Sequence, residues 1–303
     1  PRSHSPFDGA AQALHKGSFP PRFDAGSGLI GTKNMRRNHP KRRPQADLAT
    51  RPDRPERPHN STRDEAGERV WLWGTHAVMA ALANPDRHFH TLLATENAAQ
   101  KITSAPLPPQ IVTAKELDHR LPAGAVHQGI AAVADPLEEA LLDDVIAAGA
   151  TRLAVLDQVS DPHNLGAIFR SAAAFGFTGL VLQTRNAPPI TGIVAKSAAG
   201  AIEAVTEIRA VNIARALETL AEAGFHTVGL AGESERPLEL AVRGAEKLAV
   251  VLGAEGSGLR PAVAKACAEL ARIPISAQME SLNVSNAAAI AFYEASRGSV
   301  TPR

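Results

Sequence analysis

Only one cysteine, Cys267, occurs among the 303 residues. It cannot close an internal disulfide, and no Cys/His cluster has the spacing of a zinc site. Aromatic residues are scarce at 4%, so Ala, Val, Leu and Ile must fill any core, and hydrophobic residues at 44% suffice for one. Apolar runs are short, and none approaches the ~18 residues that a membrane span needs. No charged stretch followed by an apolar one opens the sequence, so no export signal is read. These absences point to a cytoplasmic protein without a structural metal. The length accommodates about two domains.

A net charge of +1 hides an asymmetry. Residues 1–68 hold 13 Lys and Arg against 8 Asp and Glu, a net of +5, and the remainder holds 19 against 23, a net of −4. The first segment carries the cluster Arg36, Arg37, Lys41, Arg42, Arg43 and a Pro-spaced run around Arg51, Arg54 and Arg57. Such a composition cannot bury enough apolar surface to offset chain entropy, and the spacing predicts a disordered basic extension. It suits binding to a phosphate backbone, or is a solvated leader without a role. Met35 offers an alternative start that would keep the basic core.

From Val70 the texture changes. VWLW reads as a strand, followed by a helix with Thr75 as N-cap that ends at Asn84–Pro85. HTLLAT, QIVTA and GIAAVA read as strands and AKELDHRL as a helix, a small module over 69–135; a helical linker is expected over 136–150. Beyond it, apolar strands such as LAVLD, GLVLQ, HTVGL and KLAVVL alternate with helical stretches, and ARIPI reads as a last strand. That alternation predicts an α/β fold with a parallel sheet covered on both faces.

Three blocks in this half each join an apolar run, a polar loop and a helix-like start. They are LDQVSDPHNLGAIFRSAAAFG (156–176), LAVVLGAEGSGLRP (248–261) and IPISAQMESLNVS (273–285). Parallel strands would gather their loops at one sheet edge, where open α/β folds bind ligands. In the first block Asp157 ends the strand and Asn164 is placed as an N-cap. Leu165, Phe169, Ala172, Ala173 and Gly176 form an apolar stripe. Arg170, about 100° from Phe169 around the helix, sits beside that stripe, either gripping a phosphate or simply solvated. In the second, Gly253, Gly256 and Gly258 permit positive φ and close approach to a ligand, or only a tight turn. In the third, Ser281, Asn283 and Ser285 compete to cap a helix whose apolar stripe is Val284, Ala287, Ala288 and Ala291. KSAAGAIEAV (196–205) reads as a helix ending at Gly200.

In that order and form the blocks resemble the three motifs of the SpoU (TrmH) family, RNA ribose 2′-O-methyltransferases of the knotted SPOUT class. The resemblance covers roughly the last 150 residues closely. The preceding module more loosely resembles the family's L30e-like RNA substrate-binding domain. It implies a methyltransferase domain over 151–303 with a trefoil knot, S-adenosylmethionine as cofactor, RNA and not DNA as partner, and a homodimer with no membrane or metal. Carried onto this sequence, Asn164, Arg170, Glu255, Ser281 and Asn283 are catalytic residues. Leu252, Gly253, Gly258, Ile273 and Leu282 hold the cofactor. Ala254 departs from the family, where asparagine is frequent, and KSAAGAIEAV is similar to a segment near the active site.

The implied chemistry is attack of a ribose hydroxyl on an electrophilic methyl in line with its leaving group. An arginine side chain, ordinarily protonated below about 12, is a poor base. Arg170 is therefore expected to position phosphate and ribose, with the proton leaving in concert or through phosphate or water. The added N-terminal module favours a guanosine of 23S ribosomal RNA as substrate, with transfer RNA as the alternative. A non-catalytic RNA-binding assembly factor is a rival reading. A class I methyltransferase or dinucleotide enzyme is another, but it needs a glycine-rich loop after the first strand, and QVSDPHN has none.

Overall fold

Runs of Val, Leu, Ile and Ala too short for helices form the strands of two sheets. We describe them in a computed structural model, which covers residues 69–297 apart from 186 and 277. The basic extension expected over 1–68 lies outside the described residues. The chain proceeds β1 (Val70–Trp73), α1 (Thr75–Ala83), β2 (Phe89–Ala94), α2 (Glu96–Ala99), β3 (Gln110–Ile111), α3 (Ala114–Arg120) and β4 (Ile130–Ala134). It continues α4 (Leu142–Ala147), β5 (Arg152–Leu156), α5 (Pro162–Ala174), β6 (Gly179–Gln183), α6 (Gly192–Ala198) and β7 (Thr206–Ala210), with a 3-10 turn at Ala201–Glu203. Last come α7 (Ile213–Glu222), β8 (His226–Leu230), α8 (Leu238–Val242), β9 (Leu248–Leu252), α9 (Pro261–Ala266), β10 (Glu269–Ala271) and α10 (Val284–Ser296).

The first four strands form a mixed sheet in the order β1-β4-β2-β3, in which β4 runs antiparallel to both its neighbours and the β2–β3 pairing is parallel. The other six are all parallel, ordered β10-β8-β9-β5-β6-β7. Strands β6 and β9 are buried along their whole length, which is why their sequences are continuous apolar runs with no polar alternation. Alternate residues still serve opposite faces. Ala154, Leu156, Leu180, Leu182, Val250 and Leu252 pack with α5, α6 and α10, while Leu153, Val155, Val181, Ala249 and Val251 pack with α7 and α9. The expected parallel sheet with apolar clusters on both faces is therefore present.

Several boundaries differ from the sequence reading. Gly74, with φ 89, precedes the first helix and Thr75 is already helical, its backbone N donating to Gln128 Oε1 at 3.0 Å. The expected linker helix shrinks to α4, because Ala140 instead bridges Ile208 of β7 and its backbone N donates to the Glu207 carbonyl on that edge at 2.9 Å. The expected strand ARIPI begins earlier, at Glu269, and ends before Pro274, which has no N–H to give a ladder. Helix α3 needs no revision: Thr113 and Glu116 form a reciprocal capping box at its start.

Both sheets share one apolar cluster: Leu72, Val78, Leu92 and Ile130 from the first belong with Leu165, Val194 and Ala198 from the second. The approach is close at Gly192, where a Cβ would lie 1.9 Å from the Trp73 ring and 2.3 Å from the Trp71 carbonyl oxygen. An ion pair seals the same junction. Arg87 forks onto Glu203, with Nε 3.0 Å from Oε2 and Nη2 3.0 Å from Oε1, and both side chains are buried. Nη1 donates to the Asp135 carbonyl at 2.6 Å, and Asn84 Nδ2 donates to Glu203 at 2.7 Å.

Candidate active site

The carboxyl ends of β5 and β9 are neighbours in the six-stranded sheet, and the pairing runs one residue further through Asp157 N to the Leu252 carbonyl at 2.8 Å. After Asp157 the chain turns through Gln158 at φ 63, a conformation uncommon without glycine, and enters α5. The cap of α5 is Asp161, which accepts from His163 N, with Pro162 at the first helical position. Asn164, expected as the cap, is one turn inside and 8% exposed. Its side chain is consequently free to reach another segment, and Nδ2 donates to Glu255 Oε1 at 3.0 Å. The core stripe is also shifted: Leu165, Ile168, Phe169 and Ala172 are buried, whereas Ala173 and Gly176 are exposed.

The third block arrives at the same carboxylate. Asn283 caps α10, its Oδ1 accepting from Ser285 N and Asn286 N. That leaves Nδ2 to donate to Glu255 Oε1 at 2.6 Å and to Asn164 Oδ1 at 3.1 Å. Val284 N adds a longer contact of 3.4 Å to the same carboxylate oxygen. Three residues spread over 119 positions thus close a small ring of hydrogen bonds. All the donors to Glu255 converge on one oxygen, and charge-assisted bonds of this kind are stronger than neutral ones. The second oxygen of this exposed carboxylate remains for a ligand bearing donors or positive charge.

The loop of the second block folds onto itself. Gly258 N donates to the Ala254 carbonyl at 3.0 Å, and Gly256 and Gly258 take φ of 82° and 64°. Gly253 does not adopt positive φ. A Cβ there would stand 2.2 Å from the Gly258 carbonyl carbon, so glycine is required by the loop's own backbone. The loop is pinned at its far end by Arg260, whose N and Nε donate to the two oxygens of fully buried Asp157 at 2.9 and 2.7 Å. Its Nη2 also contacts Asp157 and reaches Gln183 Oε1 at 3.3 Å. Burial, and then the Asp157 charge, push the nearby Cys267 thiol up to about 12.

Of the residues singled out from sequence, Asn164, Glu255 and Asn283 are bonded together, and Gly253 touches Gly258. Leu252 and Ile273 belong to one apolar cluster. Arg170 and Ser281 are exposed, and Leu282 is half-buried; none of the three joins the hydrogen-bonded ring. Lys196, in the segment also flagged from sequence, donates to Gln128 Oε1 at 2.9 Å, and burial lowers its pKa from the ordinary lysine value. Sequence reasoning missed Arg260 and Gln183. Asp157, the partner of Arg260, was visible as a polar residue at a strand end, but a pairing across 103 residues leaves no local pattern. Among the described residues no group of three or more His, Cys, Asp or Glu could hold a metal ion, and no helix is long and apolar enough to cross a membrane.

Comparison with known proteins matches residues 152–293 to the profile described as the SpoU rRNA methylase family. Residues 71–140 match the profile described as RNA 2′-O ribose methyltransferase substrate binding. The 23S rRNA (guanosine-2′-O-)-methyltransferase RlmB of Vibrio parahaemolyticus is 38% identical over 239 residues, 75% of this chain and 96% of that protein. An uncharacterized tRNA/rRNA methyltransferase of Synechocystis is 40% identical over 240 residues, 74% of this chain, which spans 61% of that longer relative. Among solved structures, a putative RNA methyltransferase of the TrmH family from Porphyromonas gingivalis superposes with a TM-score of 0.61 at 25% identity, covering 77% of this chain and 91% of that one. An rRNA methyltransferase from Sinorhizobium meliloti gives 0.64 at 24% identity over 77% and 89%, a likeness of fold.

Proposed function

Because the chain belongs to the SpoU rRNA methylase family, we propose that it transfers a methyl group from S-adenosylmethionine to the ribose 2′-hydroxyl of a guanosine in 23S ribosomal RNA. The observation that carries this reading is the convergence of Asn164, Glu255 and Asn283, one from each motif block, at the carboxyl edge of a parallel sheet. The residues present fit the cofactor. The Gly253–Gly258 loop lies at the edge, buried Leu252 ends the strand that leads into it, half-buried Ile273 supplies apolar surface, and the spare oxygen of Glu255 suits a cationic ligand. When bound, the cofactor supplies an electrophilic methyl group on a sulfonium.

The protein's own residues then act by positioning. Leu252, Gly253, Gly258, Ile273 and Leu282 hold the cofactor, while Asn164 and Asn283 keep Glu255 in one orientation. Exposed Arg170 grips the phosphate and ribose of the target nucleotide, and Ser281 orients the 2′-hydroxyl, whose proton departs to phosphate or water. Gly253→Val tests the cofactor half of this account. A side chain there collides with the Gly258 backbone, so the loop cannot close and the Kd for S-adenosylmethionine should rise more than about tenfold, a loss of ~1.4 kcal/mol. Calorimetric affinity equal to that of the unmodified protein would remove the loop from the cofactor site.

The finer architecture follows the same reading: an L30e-like substrate-binding domain over 69–135, a connection over 136–150, a trefoil knot within 151–303, and a basic extension that adds RNA affinity in a cytoplasmic enzyme. A homodimer is supported by the outer face of α10, where Ile290 and Tyr293 are 42% and 55% exposed one turn apart and Phe175 packs edge-on against Tyr293. Light scattering should return twice the chain mass at micromolar concentration; a monomer with intact methyl transfer would contradict the pairing. The reaction itself is tested by incubating the protein with ribosomal and transfer RNA and methyl-labelled S-adenosylmethionine. Label should enter 23S RNA, and label in transfer RNA alone would reassign the substrate.

A further inference from the structure

Away from the sheet edge, a cavity of about 380 Å³ opens in the first module, lined by Thr75, Met79, Thr95, Asn97, Ala98, Lys101, Ala114, Gln128, Gly129 and Ile130. Its size falls within the range of small-molecule pockets, about 300–1,000 Å³. The lining divides by chemistry. Met79, Ala98 and Ile130 offer an apolar floor, and Asn97, Lys101, Gln128 and two threonines offer polar groups. Of these polar side chains only Gln128 hydrogen-bonds within the described protein. Its Oε1 accepts from Thr75 N and from Lys196 Nζ at 3.0 and 2.9 Å. Both contacts are donors, so the oxygen side of the carboxamide is assigned and its NH₂ remains for an acceptor.

Gln128 also sits at φ 54, a strained conformation for a residue that is not glycine, and such outliers persist where the surroundings over-determine them. Thr95, at the start of α2, makes no capping bond with its hydroxyl. An apolar floor, two carboxamides that can read base edges, and a lysine suited to a phosphate form the combination that unstacked nucleotides require. The cavity is also tied to the methyltransferase sheet: Lys196 lies on α6, and α6 abuts α5 so closely at Gly166 that a Cβ there would meet the Ser197 Cβ at 2.4 Å. Helix α5 carries Arg170.

We propose that this cavity binds one unstacked nucleotide of the RNA substrate, distinct from the nucleotide that is methylated, with its base on Met79, Ala98 and Ile130 and its phosphate at Lys101. The proposal rests on the reading of the chain as an RNA methyltransferase and adds the place where the RNA is registered. Its test uses the full chain. In a titration with GMP, AMP, UMP and CMP followed by NMR, the amides of Thr95, Lys101 and Gly129 should shift with millimolar nucleotide. Lys101→Ala, which removes only an exposed side chain, and Ala98→Phe, which fills the floor, should each raise the KM for ribosomal RNA. The expected rise is about tenfold to a hundredfold, the worth of stacking and binding one base. The kcat at saturating RNA and the Kd for S-adenosylmethionine should stay unchanged, and Arg120→Ala, the same charge removed elsewhere on the module, should shift KM far less. Unchanged KM in both variants and no shift at those amides would overturn the proposal. If the unmodified protein methylates no RNA, the functional reading fails, and the nucleotide titration alone decides the cavity.

Discussion

Arg170→Ala should lower methyl transfer at least about a hundredfold while leaving the fold and cofactor affinity intact. A displacement of ~1 Å in a reacting group already has an effect of that size, and this substitution removes the proposed grip on the target nucleotide entirely. Stability should change by no more than about 0.5 kcal/mol, as is usual for a surface site without partners. Arg170 is exposed, while its neighbour Phe169 carries the packing of α5. Cofactor affinity should survive because the loop from Gly253 to Gly258 and the apolar residues Leu252 and Ile273 lie on other elements. Parallel measurement of single-turnover methylation, calorimetric binding and thermal unfolding separates these three quantities. A variant that turns over at the original rate would remove Arg170 from the active site.

Arg87→Ala should destabilise the protein by about 3–5 kcal/mol, the cost of leaving one partner of a buried ion pair uncompensated. Glu203 is nearly inaccessible and would keep only the Asn84 amide as a donor, while the Asp135 carbonyl would lose its guanidinium contact. Replacing both partners together, Arg87→Met with Glu203→Leu, should cost much less, because no charge is then stranded. Chemical denaturation of the two variants provides the comparison. Equal stability losses in single and double variants would mean that the pair acts through packing alone.

The sheet was legible because its strands are buried on both faces: GLVLQ and LAVVL carry no alternation, and length alone marks them as strands. Helix starts were less legible. DPHN offers two capping side chains within four residues, and the Pro162 ring, suited to the first helical turn, favours Asp161 over Asn164. That shift matters, since an Asn164 whose Oδ1 was engaged in capping could not accept the hydrogen bond from Asn283 that closes the ring. Asn283 illustrates the opposite case: it is both cap and ligand of Glu255, because its two amide atoms serve different partners. The Arg260–Asp157 and Arg87–Glu203 pairs were invisible, as each joins segments more than a hundred residues apart whose meeting depends on the tertiary fold.

The central claim is methylation at a ribose oxygen, and nucleoside mass spectrometry tests it most directly. After reaction with S-adenosylmethionine, 23S RNA is digested completely to nucleosides and the methylated product identified by its fragmentation. The account predicts 2′-O-methylguanosine, with the added mass retained on the sugar fragment, and its disappearance with Arg170→Ala. Methyl on the base fragment, or no methylated nucleoside from a protein that binds the cofactor, would contradict it.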